Sequence, residues 1–168
     1  MAKLLTRMIG GLFVALVALV VVFMVGMRAK YPPVLNAVRR TNRAVGNPRV
    51  LQTAGQPGAT AAVIRHVGRS SGANYETPIG PYPTDDGFVV ALPYGTSVDW
   101  LKNVQAADSA EIVHEGVTYR VDHPEIISAE EALLHIPADE HRTLRIFAVD
   151  EFLAVRRVEA VEKVAEPE

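Results

Sequence analysis

Twenty consecutive residues, Met8 to Met27 (MIGGLFVALVALVVVFMVGM), carry no charged or strongly polar side chain. At about 1.5 Å per residue, a helix of that length spans about 30 Å, the hydrocarbon thickness of a bilayer. A cleaved signal peptide would have a shorter apolar core, about 7–15 residues, ending in a small-x-small site. This run is longer, and Met27-Arg28-Ala29 does not suit cleavage. Residues 1–30 therefore read as an uncleaved transmembrane anchor with its flanks, and membrane lipid is the first expected partner. Lys3 and Arg7 precede the run, while Arg28, Lys30, Arg39, Arg40 and Arg43 follow it closely. The positive-inside rule then predicts a single pass of the cytoplasmic membrane with the C-terminal domain in the cytoplasm.

The net charge of −2 hides a division. Residues 1–50 hold eight basic residues and no acidic one, leaving nine of the 17 basic residues against all 19 acidic ones. A basic front on an acidic body suits an anionic lipid surface and argues against nucleic acid, whose binders carry their basic patch on the folded domain. The chain has no cysteine, which excludes disulfides, thiol nucleophiles and cysteine-ligated zinc. Its five histidines share no short ligand spacing, so no metal site is expected.

After the anchor, Tyr31-Pro32-Pro33 breaks the helix, because proline lacks an amide donor and restricts the residue before it. A second helix is expected from Val34 to about Ala44, with Arg39, Arg40 and Arg43 snorkelling outward at the lipid headgroups. Gly46-Asn47-Pro48 should end it, and Gln52 to Thr60 reads as a linker, so that 31–60 forms a basic interfacial helix and linker. From Ala61 the texture changes to short strands bounded by turns. Thr84-Asp85-Asp86-Gly87 and Glu115-Gly116 are hairpin signals. A helix is expected over Val98 to Ala107, capped by Ser97 or Asp99, and another over Ala129 to Ile136, capped by Ser128. The last strand is placed at Glu151 to Arg156. Five or six short strands with small helices between them predict a mainly β, α+β domain over 61–158, a compact antiparallel barrel, with a charged tail at 159–168.

One stretch, Ile64 to Asn103, carries the candidate chemistry. It opens with I-R-H-V-G-R-S-S-G, in which two glycines flank a cation and two hydroxyls. Such a turn lets backbone amides nest around an anion, and Arg69 can bind phosphate bidentately; an ordinary hairpin loop is the plainer reading. It closes with P-Y-G-T-S-V-D-W-L-K-N, a glycine loop opening a helix that holds the only tryptophan. A helix N-terminus attracts anions, Trp100 can cover a ring, and Asn103 follows one turn later; alternatively Trp100 is simply core. There is no nucleophile elbow, no carboxylate pair, no P-loop and no dinucleotide fingerprint. With few acid–base groups beside a possible cofactor bed, the chemistry points to the cofactor.

These motifs, I-R-H-V-G-R-S-S-G, Thr77-Pro78, F-V-V-A-L-P-Y-G-T and D-W-L-K-N, resemble the deazaflavin-dependent nitroreductase family over about Val63 to Arg157. The resemblance implies a split β-barrel (FMN-binding-like) and coenzyme F-420, a deazaflavin, as cofactor. It implies that Gly68, Arg69, Ser70, Ser71 and Gly72 hold the charged part of the cofactor, and that Pro78 lies against the ring. Tyr94, Gly95 and Thr96 would line the cofactor bed, with Trp100 and Asn103 beside them. The family commonly has further basic residues after the turn, where this chain has Ala73-Asn74-Tyr75-Glu76, and a longer loop before the tryptophan.

The expected activity is hydride transfer from reduced deazaflavin to a hydrophobic small-molecule acceptor, a quinone, an enone or a nitro compound, near the membrane. Tyr94 is the candidate catalytic donor to the acceptor. Two alternatives stand beside it: a split-barrel reductase using FMN, and a non-enzymatic membrane-associated protein that binds cofactor or lipid. Split barrels often pair, so a homodimer is expected by analogy.

Overall fold

In residues Ala62–Val67 the side chains of Ala62, Ile64 and His66 are buried on one face, while Arg65 and Val67 stand exposed on the other. That period of two marks a strand, and it recurs along the C-terminal part of the chain. The computed structural model describes the backbone of residues 2–163. Its helices are α1 (Ala2–Arg28), α2 (Pro32–Thr41), α3 (Asn47–Val50), α4 (Asp99–Ala107), α5 (Ala129–Ala132) and α6 (His141–Ile146). Its strands are β1 (Ala62–Val67), β2 (Asn74–Ile79), β3 (Pro81–Pro83), β4 (Gly87–Ala91), β5 (Ser109–His114), β6 (Val117–Ser128) and β7 (Glu151–Lys163).

All neighbouring strands are antiparallel, in the order β2-β1-β5-β6-β7-β4-β3. The two edges, β2 and β3, are consecutive in the chain with Gly80 alone between them. The sheet therefore curls until its edges meet at that corner, which makes the architecture a split barrel. Pro78 and Pro81 sit on these edge strands, where proline is tolerated because no central ladder depends on its missing amide. Glu115 and Gly116 both adopt left-handed φ, 51° and 72°, and so form the two-residue hairpin turn joining β5 to β6. The register shifts between β6 and β7, one of them beside His123 at φ 51°, are bulges that bend the two longest strands around the barrel.

The unbroken apolar run Phe88 to Leu92 has its cause in two cores. Phe88, Val90 and Leu92 fill the barrel with Ile64, Ile112 and Leu153, while Leu101 and Val104 of α4 close one end, both fully buried. Val89 faces the other way, into a second cluster with Ile127, Leu144 and Phe152 beneath α5 and α6. Burying each of these large side chains stabilises the fold by about 1.5–3 kcal/mol.

Four expectations change. The last strand runs on to Lys163, because it pairs with the whole length of β6 and not with β4 alone. The expected tail thus begins inside a strand, and 164–168 lie outside the described residues. Helix α6 was not anticipated, and α5 is a single turn, with Ser128 Oγ accepting from the Glu131 amide as expected. The helix after α1 does not stop at Gly46-Asn47-Pro48. It passes through a π-helical turn, Asn42–Gly46, into α3, where Pro48, the second residue, has no amide to donate back into that turn. Finally, Gln52 to Thr60 is tied to the β5–β6 hairpin, with Gly55 accepting from the Gly116 amide at 2.7 Å and Glu115 accepting from the Gly58 amide at 2.8 Å.

Helix α1 is long and apolar enough to cross a membrane. Leu12, Phe13, Val14, Leu16 and Val17 are all exposed, and consecutive exposed positions cover every side of a helix. It is therefore not the buried core helix of the described fold. Its foot is held: Gly26 packs so closely on Val34 of α2 that a Cβ there would lie 2.6 Å from a valine methyl. Arg28 donates to the Arg145 and Ile146 carbonyls at the end of α6, and Lys30 to the Pro93 carbonyl.

Candidate functional site

Between the barrel and the helical segment 32–50 lies a cavity of about 690 Å³. That is within the range of pockets that hold small molecules and cofactors. Of the residues expected in the site, Gly68, Arg69, Ser70, Ser71, Pro78, Tyr94, Trp100 and Asn103 line it. Gly72, Gly95 and Thr96 do not; they shape the loops behind it. Gly72, at φ 65°, closes the turn after β1 by donating its amide to the Gly68 carbonyl, and Gly95, at φ 71°, closes the loop after β4 onto Leu92.

The barrel wall is organised around Asn103, which is buried on α4. Its Oδ1 accepts from Arg69 twice, from the backbone amide at 3.2 Å and from Nη1 at 2.8 Å. With the carbonyl so occupied, Nδ2 faces His66 Nδ1 at 3.2 Å, and the ring nitrogen there must be the acceptor. His66 Nε2 then carries the proton and donates to Thr77 Oγ1 at 3.2 Å. Burial pushes the His66 imidazole below its ordinary pKa, which agrees with this neutral tautomer. Tyr75 stacks on the same ring at 5.7 Å between centroids, as its register opposite His66 requires. His66, Tyr75 and Thr77 were not among the expected site residues. The signal available for His66 was its alternation with Ala62 and Ile64, which puts it on the inward face of β1.

Arg69 also donates to Asp99, through Nη1 to its carbonyl and Nη2 to its carboxylate. The hydrogen bond from Arg69 holds the Asp99 carboxyl below the usual carboxylate range. Gly68, Arg69 and Gly72 already spend their amides on Ala73, Asn103 and Gly68 respectively. The backbone nest expected in the turn is thereby reduced to Ser70 and Ser71. Neither Ser97 nor Asp99 caps α4 through its side chain; Val98 holds the cap position, and Ser97 Oγ accepts from Arg39 instead.

The opposite wall comes from the helical segment, and here the expectation of arginines turned to lipid fails for two of three. Arg39 donates to Tyr94 O and, at 2.9 Å, to Ser97 Oγ. Asn42 Nδ2 donates to the Tyr94 hydroxyl at 2.7 Å, and Arg43 pairs with Asp99 at 3.5 Å. Leu35 is buried and Val34 packs on α1, so the apolar face turns to α1 and the polar face to the barrel. Arg40 alone stays outside, bonded only to Asn36 of its own helix among the described residues. In the π-helical turn the Asn47 amide bonds to the Asn42 carbonyl, which brings Asn47 into the cavity wall one wide turn after Asn42.

Three guanidinium groups (Arg39, Arg43, Arg69) and two carboxylates (Glu76, Asp99) therefore line the cavity. Glu76 is drawn outward by Arg65, 3.0 Å away. Arg39 Nε is buried with no hydrogen-bond partner, a donor left over beside the cavity. Tyr75, Tyr94 and Trp100 add flat aromatic surface. This donor set fits a planar ring that carries an anionic group.

No family model matches the sequence, and no curated protein matches it. Among solved structures, the chain is similar to a candidate 5-nitroimidazole antibiotic resistance protein from Bacteroides thetaiotaomicron. The identity is 13% over 67% of this chain and 80% of that one, with a TM-score of 0.46. It is similar also to a protein of unknown function from Agrobacterium tumefaciens, at 16% identity over 61% and 50% of the two chains and a TM-score of 0.44. An F-420 reductase aligns at 12% identity over 64% of this chain and 92% of its own, with a TM-score of 0.39. At such identities, function has to be read from the cavity itself.

Proposed function

We propose that the protein is a membrane-anchored oxidoreductase that binds a deazaflavin in the cavity between barrel and juxtamembrane helix. The electron-poor acceptor would be a hydrophobic quinone, enone or nitro compound. The observation that carries this reading is the joint presence of an aromatic wall and three guanidinium groups around one cavity. A bound reduced deazaflavin supplies a hydride to the acceptor. The residues of this chain bind, orient and donate. Arg69, held by Asn103 at 2.8 Å, offers its cation at the turn assigned in this reading to the charged part of the cofactor. Trp100 and Pro78 offer flat apolar contact for the ring.

Tyr94 is the candidate proton donor. Its hydroxyl accepts from Asn42, and no partner among the described residues takes its own proton. A phenol so placed in the cavity wall can donate to the oxygen of an acceptor as negative charge develops there. The anchor supports a lipid-soluble acceptor, since Lys30 at its foot bonds to Pro93, the residue next to Tyr94. The test is oxidation of chemically reduced deazaflavin by the full-length protein in detergent, with and without a short-chain quinone. Acceptor-dependent oxidation well above the protein-free rate is expected. No such acceleration with a quinone, an enone or a nitro compound would refute the reading.

A further inference from the structure

Arg43 and Arg69 come from segments far apart in the chain and converge on one carboxylate. Asp99 Oδ2 lies 3.5 Å from Arg43 and Oδ1 lies 3.2 Å from Arg69. The side chains of Arg43 and Asp99 are 79% and 62% exposed, so this pair sits in water and is easily exchanged. Arg39 stands on the same helical face, one turn earlier, with its buried Nε unpartnered. An internal carboxylate is thus holding a place between two guanidinium groups that the anionic oxygens of a phosphate could take, accepting from both.

We propose that Arg39 and Arg43 of the juxtamembrane helix form, with Arg69 across the cavity, a clamp for the phosphate of a ring-bearing ligand, and that Asp99 is the clamp's displaceable counter-ion. The inference rests on the cavity being a ligand site but not on which ring it takes. It makes the segment after the anchor part of the binding site, so that ligand and anchor hold the same helix. It also supplies the cations missing after the turn, where Glu76 stands and is already paired with Arg65. Phosphate could reach the clamp on a cofactor or on a lipid headgroup; the ring-sized aromatic wall beside it favours the cofactor.

Trp100, the only tryptophan, lines the cavity and reports on binding without any turnover. The full-length protein in dodecyl maltoside, which carries no phosphate, is titrated with F-420, FMN and riboflavin, and separately with phosphatidylglycerol. For whichever phosphorylated ring quenches Trp100, Arg43→Gln should weaken binding about tenfold. Asp99→Asn should tighten it, and Arg40→Gln, which alters a cation outside the cavity, should leave it unchanged. Riboflavin, lacking phosphate, should respond to none of the three. Thermal melts confirm that each variant is folded. Binding of FMN and not F-420 with this pattern sinks the deazaflavin reading and keeps the clamp. Equal effects of Arg43→Gln and Arg40→Gln overturn the clamp and leave the deazaflavin reading standing. Quenching by phosphatidylglycerol alone, or by nothing, also overturns the clamp.

Discussion

On the barrel side of the cavity, Arg69, Asn103, His66 and Thr77 form an unbroken chain of hydrogen bonds, and Asn103 and His66 are buried. On the helical side, Arg39 donates to Tyr94 O and Ser97 Oγ, Arg43 meets the barrel through a single solvent-exposed ion pair, and Asn42 through a single hydroxyl. Both walls present polar groups to the same space, but only the first is over-determined by its surroundings. The barrel wall is preorganised, and its side chains cannot move singly without leaving a buried group unpaired. The helical wall is fixed at Arg39 and yields at Arg43, whose ion pair with Asp99 stands in water. If the proposed ring binds against the rigid wall, acceptors of different shape should be accommodated on the yielding one.

The difference should appear first in stability. Asn103→Ala strands the Arg69 amide and the His66 ring nitrogen together, and should destabilise the protein by about 3 kcal/mol in chemical denaturation. A loss below about 1 kcal/mol would mean that the barrel wall is no more rigid than the helical one. Tyr94→Phe, at the seam of the two walls, removes only the Asn42 contact and should cost about 1 kcal/mol in the same measurement. If Tyr94 is the donor, the same change should lower turnover about a hundredfold with affinity for the cofactor little altered.

A pH series sharpens the comparison further. Because burial depresses the His66 pKa, the folded protein takes up fewer protons than the unfolded chain once the pH falls below the ordinary value of 6.5. His66 therefore contributes full stability above that pH, and the contribution is lost as pH falls towards the folded value. The slope cannot exceed about 1.4 kcal/mol per pH unit for one proton. Protonation of Nδ1 also breaks the bond from Asn103, so the barrel wall loosens with acid. His66→Gln should flatten this part of the profile; an unchanged profile would place the titration elsewhere. At the small end, Arg43→Gln and Arg40→Gln should each stay within about 0.5 kcal/mol of the parent protein.

Much of the barrel was legible in the sequence, because strand period and hairpin turns are local. Glu115-Gly116 demands left-handed φ, and Pro78 and Pro81 can only sit at edges. What escaped was set by contacts distant in sequence. Nothing local shows that Glu151–Lys163 would find the full length of β6, or that Gly46-Asn47-Pro48 would be carried through a π-helical turn. The cavity was legible from one side. The turn Gly68–Gly72, Tyr94 and the Trp100–Asn103 pair could be read from their motifs. The opposing wall could not, because an arginine after a long apolar helix reads equally well as facing lipid. Only the packing of Gly26 on Val34 and the burial of Leu35 turn Arg39 and Arg43 to the barrel.

The central proposal is a deazaflavin seated in the cavity and held at Arg69. The direct measurement is titration of the detergent-solubilised full-length protein into oxidised F-420, followed by the fluorescence of the deazaflavin itself. A saturable one-to-one change is expected, weakened by about tenfold or more in Arg69→Ala and little altered in Arg40→Ala, whose side chain bonds within its own helix outside the cavity. An unaltered fluorescence throughout the titration, or the same binding curve for Arg69→Ala as for the parent protein, would contradict it.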